Sequence, residues 1–148
     1  MNREEVFETL KIDEGVKYEV YADHLGYHTF GVGHLVTNED PEWGDSFGTV
    51  VSEERVWECF EKDLDTSISE CHALYGEGDF DAFPEEVQQI LVNMMFNMGR
   101  TRLSKFKNMN KAIEAGDWAK AAVEGRDSRW HKQVTNRAER LMVRLENV

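Results

Sequence analysis

Apolar positions along the chain change period several times, and each change predicts an element. Val6, Phe7 and Leu10 recur at helical spacing within residues 3–13, with Glu14 continuing the same face. Gly15 then supplies a left-handed cap just past the helix end. Residues 17–21 alternate and are rich in aromatic and β-branched side chains, which predicts a strand. Asp23-His24-Leu25-Gly26 has turn composition, and residues 27–32 return as a second strand, completing a hairpin. Residues 36–51 contain Pro41, Gly44 and Gly48 and read as a loop.

Ser52 is a good N-cap for a long helix to about residue 74, whose stripe Val56, Phe60, Leu64, Ile68 and Cys71 keeps helical order. Gly76-Glu77-Gly78 breaks the chain, and Pro84 opens the next helix at its favoured first position. Val87, Ile90, Leu91, Val92, Met94, Met95 and Met98 make that helix apolar nearly all round, so it belongs at the centre of its lobe. Gly99, Gly116 and Gly125 punctuate shorter helices, and Thr135 or Asn136 can cap the last. The pattern predicts an α+β, mostly helical chain with strands confined to the N-terminal part.

Composition narrows the class. A hydrophobic fraction of 41% with 11% aromatic residues over 148 residues argues for a packed domain rather than disorder. No apolar run approaches the ~20 residues of a membrane span, so no membrane insertion is expected. Met1-Asn2-Arg3-Glu4-Glu5 lacks the apolar segment of a secretion signal, which predicts a cytoplasmic protein. Cys59 and Cys71 both fall on the long helix, about 18 Å apart along its axis. That is too far for a disulfide, so both are expected reduced.

Charge is divided unevenly. Residues 1–98 carry 5 Lys/Arg and 23 Asp/Glu, a net −18, whereas residues 99–148 carry 12 and 6, a net +6. The whole chain, at −12, is repelled by polyanions at low salt, which argues against nucleic acid as a partner. One reading is an enzyme that works at high ionic strength, where repulsion is screened; the other is an acidic surface serving solubility alone.

Two carboxyl groups stand in different surroundings. Glu14 faces the negative end of the helix dipole and unpaired carbonyls, which disfavour charge and suit a general acid. Asp23, at the hairpin tip, is set to stay ionised, and Thr29 shares a face with Tyr27 so that its hydroxyl points to the same space. One acid kept protonated and one base kept ionised is what glycosidic cleavage requires. Each residue alone also fits a plainer role, Glu14 as an exposed helix-end side chain and Asp23 as a turn former. His24, His28 and His34 lie close in sequence but splay along a hairpin rather than converge, so no metal is expected, and no other cofactor.

Ile12-Asp13-Glu14-Gly15, Tyr21-x-Asp23 and Gly26-Tyr27-x-Thr29-x-Gly31-x-Gly33-His34-Leu35 together resemble the N-terminal signature of phage-type lysozymes, glycoside hydrolase family 24. Asn93-Met94-x-Phe96-x-Met98-Gly99 and Ser128-Arg129-Trp130 with Asn136-Arg137-Ala138 match further family segments in the right order, closest to the T-even type. The resemblance implies a two-lobe lysozyme fold in one domain, residues 1–148. The N-terminal lobe would span about residues 15–58, the connecting helix about 52–74, and the helical C-terminal lobe about 79–148, with helix 3–14 packed on the last.

The resemblance further implies an endo-acting muramidase cutting the β-1,4 bond between N-acetylmuramic acid and N-acetylglucosamine of peptidoglycan. Glu14 would be the general acid, with Asp23 and Thr29 holding the attacking water in an inverting displacement. Inversion calls for carboxyls roughly 6.5–9.5 Å apart. Arg137 matches a position that pairs with the catalytic Glu, and Leu35 and Phe96 match cleft positions. Asn97 stands where relatives have Gln. Met109 and Glu124 replace Ser and Asn at polar cleft positions, and His34 and Asp63 occupy positions that pair. A monomer released to the wall through a holin-type pore at lysis is implied, virion display being the other route. Three alternatives stay open at this point: a lytic transglycosylase, which would have no need of Asp23, a non-catalytic peptidoglycan-binding module, and an acidic decoy binding a basic partner through residues 36–86.

Overall fold

The structure, a computed structural model, describes all 148 residues. The chain divides into two compact units: Arg3–Asp65, and Met1–Asn2 with Thr66–Val148.

The first unit opens with helix α1, Arg3–Glu14, which buries Val6 and Leu10. Phe7 on the same helix meets Trp57 edge-on, ring centroids 4.7 Å apart, and lies as close to Phe60. Three short strands follow, β1 (Lys17–Ala22), β2 (His28–Gly31) and β3 (His34–Leu35), in an antiparallel sheet of order β1-β2-β3. The first two are the expected hairpin. The third pairs Thr29 with Leu35 and Phe30 with His34, and at two residues it is too short to leave an alternation in the sequence.

Residues 36–51 form a chain of turns, with amide-to-carbonyl bonds from Asp40 to Thr37, Trp43 to Asp40 and Asp45 to Glu42. Their far end runs beside β1, where Val51 donates to the Tyr18 carbonyl and Val20 to that of Thr49. These bonds satisfy backbone that would otherwise leave an open sheet edge. Arg55 fixes the turns from below, donating to Asp40 and to both oxygens of Glu42.

Helix α2, Glu53–Tyr75, contributes its first half to this unit. Ser52 caps it as expected, its Oγ accepting from the Arg55 amide at 3.1 Å. Val56, Phe60, Leu64 and Cys71 of its stripe are buried, while Ile68 is half-buried and Ser67 takes a buried place. Cys59 and Cys71 are free and buried, and burial pushes their thiols up to about 11 and about 12.

The second unit is all helix. Gly76, at φ 90, ends α2 as its sequence suggests. A short helix α3, Glu77–Ala82, then forms where only a break is legible, held by burial of Phe80. Helix α4, Glu85–Leu103, starts one residue after Pro84, which caps rather than opens it. It is the centre of this unit, with Val87, Ile90, Leu91, Val92, Met94, Met95 and Met98 buried, and it kinks at Gly99, where φ is 78. Helices α5 (Lys107–Glu114), α6 (Trp118–Arg126), α7 (Arg129–Gln133) and α8 (Thr135–Glu146) complete the unit. Asp117 caps α6 and Ser128 caps α7. Neither Thr135 nor Asn136 caps α8: both lie inside it, and Val134 precedes it with no side-chain bond.

The α+β, mostly helical reading and the lysozyme-like arrangement of a small N-terminal sheet followed by helices hold. Helix α1 belongs to the same compact unit as the sheet. No helix is long and apolar enough to cross a membrane.

Candidate active site

Within the first unit, Glu14 is the last residue of α1 and is half-buried. Gly15, at φ 74, turns the chain out of the helix behind it. The carboxyl lies against the β2–β3 turn: a Cβ placed on Gly33 would sit 3.2 Å from Glu14 Oε2. Gly33 is also at φ 63, so a side chain there would be strained and would crowd the carboxyl.

Asp23 is organised by its own turn. Its Oδ1 accepts from the amides of Leu25 and Tyr27, each at 2.9 Å, while its amide donates to the Tyr27 carbonyl. This is the turn-former role weighed from sequence, and it engages only one carboxylate oxygen. The two amide bonds hold the carboxylate in place and fix the direction of Oδ2.

Thr29 is buried at 4% exposure, with its Oγ1 donating to the Tyr27 carbonyl at 3.0 Å. Because the hydroxyl has a single proton and it is committed, Oγ1 can only accept from anything that approaches. Thr29 pairs with Tyr21 on β1 and with Leu35 on β3. Tyr21 ties the group together: its phenol is raised by burial first, then by the charges of Glu14 and Asp23. Lys17 places its ammonium over the same ring, 4.5 Å from the centroid. Leu35 is half exposed on the outer strand.

Beside this group, His34 is clasped by Asp63 on Nδ1 at 2.7 Å and by Asp40 on Nε2 at 2.9 Å. The Asp63 contact is as expected, and Asp40 is the addition. Burial lowers the imidazole, but bonds and charge from Asp63 and then Asp40 outweigh it, so it is held above its ordinary value. Asp40 is pulled down in turn: burial opposes this, but the Thr37 amide, His34 and Arg55 prevail.

In the second unit Phe96 and Asn97 sit on α4, both half-buried, and the Asn97 Oδ1 accepts from Trp130 Nε1 at 3.0 Å. Arg137 is buried on α8, donating from Nε and Nη2 to Asn93 Oδ1 at 3.1 and 2.9 Å. Two other basic residues of this region are ion-paired, Arg126 with Glu139 and Glu146 and Arg144 with Glu86. Arg126, followed by His131, holds Glu139 down at about 2. Met109 and Glu124 both line a cavity of about 570 Å³ rimmed by Arg102, Lys105 and Arg129. Met109, at 1% exposure, is its floor rather than a polar contact.

The first unit thus gathers Glu14, Asp23, Thr29 and Leu35 about Tyr21 and the sheet. The second holds Phe96, Asn97 and Arg137 on α4 and α8. Sequence reasoning quoted Tyr21 in a motif but gave it no role, although strand alternation puts it on the face of Asp23 two residues on. It likewise gave no role to Asn93, one turn before Asn97 on the same helix face.

The family model described as phage lysozyme matches residues 11–147. A probable T4-type lysozyme 2 of Dictyostelium discoideum is 34% identical, over 90% of this chain and 88% of its own. The pre-baseplate central spike protein Gp5 of Enterobacteria phage T4 is 33% identical over 90% of this chain, which spans only 26% of that protein. A peptidoglycan hydrolase, gp36 of Pseudomonas phage phiKMV, is 30% identical over 89% of this chain and 14% of its own. The match along almost the whole chain carries the conclusion: the chain belongs to the phage lysozyme family.

Proposed function

We propose that this chain is a peptidoglycan muramidase that hydrolyses the β-1,4 bond between N-acetylmuramic acid and N-acetylglucosamine by inversion. The observation that carries the reading is the pair of carboxyls acting on one phenol, with Asp23 anchored through one oxygen only. Glu14 protonates the glycosidic oxygen as the bond breaks. A water donates one proton to Asp23 Oδ2 and the other to Thr29 Oγ1, which has no proton of its own to offer. That leaves the water's lone pair for the anomeric carbon, opposite the leaving group, and Asp23 takes the proton as the new bond forms.

Leu35, Phe96, Asn97 and Arg137 are assigned to substrate binding, following the family resemblance. The bond to Trp130 fixes the amide orientation of Asn97, so its nitrogen is the group offered to a substrate carbonyl or hydroxyl. The enzyme acts as a monomer, without metal or other cofactor. Release to the wall through a holin-type pore at lysis completes the proposal. Carriage on the virion is the second reading, favoured by the similarity to a central spike protein, and immunoblotting of purified virions separates the two.

The test of function is release of new reducing ends from purified peptidoglycan. Wild type releases them, and Glu14→Gln and Asp23→Asn lose on the order of 10²–10⁴-fold in rate. Equal release by Glu14→Gln and wild type removes Glu14 from its role. Anhydro ends in place of reducing ends in the products would make the enzyme a transglycosylase, and reducing-end release that survives Asp23→Asn would remove Asp23 from its role.

A further inference from the structure

Beyond Leu35, an apolar surface on the first unit has no part in the chemistry above. Tyr27, Leu35 and Trp43 line a cavity of about 520 Å³ together with His28, Val36 and Gly44. Trp43 is 61% exposed, and Tyr27 and Leu35 are also more than half exposed. Phe47, likewise exposed, stacks on His28 at 4.1 Å. Contiguous exposed aromatic and apolar side chains signal a ligand or partner surface rather than chance. They are the more unexpected in a unit with 5 Lys/Arg and 17 Asp/Glu over residues 3–65.

We propose that Trp43, with Tyr27 and Leu35, forms a saccharide subsite that stacks an uncharged N-acetylhexosamine ring of the glycan strand, beyond the sugars that flank the cleaved bond. This rests on the muramidase reading. Continuity with the catalytic face is the first support: Leu35 pairs directly with Thr29, and Tyr27 gives its carbonyl to Thr29 and its amide to Asp23. A strand leaving that face along the sheet therefore meets Tyr27, Leu35 and Trp43 next. Size is the second, because the cavity is in the range of small-ligand pockets. Charge is the third, since an acidic unit repels phosphate, lipid headgroups and nucleic acid, whereas a neutral pyranose presents an apolar C–H face and satisfies its hydroxyls at the rim.

Rigidity is the fourth support. Trp43 sits between Asp40 and Asp45 in consecutive turns, and the carboxylates of Asp40 and Glu42 are both bound by Arg55. An exposed tryptophan held on a tethered turn keeps its orientation without ligand, and binding then costs less ordering entropy.

The test uses peptide-free glycan strands of defined length, titrated calorimetrically into the full chain carrying Glu14→Gln so that strands stay intact. Trp43→Ala in that background is expected to weaken binding of long strands roughly three- to ten-fold, with the disaccharide unaffected and Trp43→Phe restoring most of the loss. Tyr27→Ala, at a second exposed position, shifts long-strand affinity the same way, and circular dichroism confirms that both variants are folded. Long strands binding equally well to Trp43→Ala and its parent would overturn the subsite, even with reducing ends released normally by the wild type. Trp43-dependent binding of anionic lipid vesicles as tight as that of strands would also overturn it. If the wild type releases no reducing ends yet Trp43-dependent strand binding persists, the muramidase reading fails and the subsite stands.

Discussion

The two units reach order by different physics. In Arg3–Asp65 the functional groups are placed by hydrogen-bond geometry near the surface: the turn that anchors Asp23, the double clasp on His34, and Arg55 under the turns that carry Trp43. In Thr66–Val148 they are placed by burial. Helix α4 is enclosed on nearly every face, and its polar members Gln89 and Asn93 are buried with it. Arg137 and the Tyr75–Asn110 pair, bonded at 2.7 Å, are buried in the same unit. Where groups are held by turns and ion pairs, pH tunes the unit; where they are held by packing, volume and satisfied polar atoms decide.

The largest expected effect is on the packed side. Leu91 is fully buried, and Leu91→Ala should cost about 2–5 kcal/mol in denaturant unfolding. A loss below 1 kcal/mol would mean that α4 is not the organising element. Next, Asn93→Ala takes the Oδ1 acceptor from a buried guanidinium and should cost about 1–3 kcal/mol. Restoring stability by the double change Asn93→Ala with Arg137→Met would sharpen the point that the pair is satisfied rather than net stabilising.

On the first unit the expected signature is in pH. His34 is raised above its ordinary value, so its contribution is fully present below pH ~6.5 and is lost as pH rises through its higher folded value. The melting temperature of wild type should therefore fall relative to His34→Gln between mildly acidic and alkaline buffer. A constant difference across that window would break the contrast between the units. Asp40 acts in the opposite direction: its lowered value gives stability present above the usual aspartate range and lost as strong acid protonates it. The smallest effect is Ser52→Ala, which removes one cap bond from α2 for about 1 kcal/mol.

The same contrast explains what was legible in the sequence. Helix α1, the hairpin, the Ser52 cap and the all-apolar α4 follow from local period and capping chemistry, so residues 3–32, 52–75 and 85–98 could be read directly. The places of Glu14 at a helix end, Asp23 in a turn and Thr29 on the return strand were legible because these are short, regular elements. What stayed hidden depends on contacts far apart in sequence. Asp40 on His34, Arg55 on Glu42, Trp130 on Asn97 and Asn93 on Arg137 pair residues 6–44 positions apart, with no periodic trace. The burial of Arg137 shows the limit best: among neighbouring basic residues it looks like surface, and only the tertiary structure encloses it.

The central claim is that Glu14 and Asp23 split the work, one giving a proton and the other aiming a water. Proton NMR of freshly cleaved glycan, recorded before mutarotation, tests it most directly. New reducing ends should appear first as the α-anomer, with Asp23→Asn abolishing their formation. Initial appearance of the β-anomer would contradict the account.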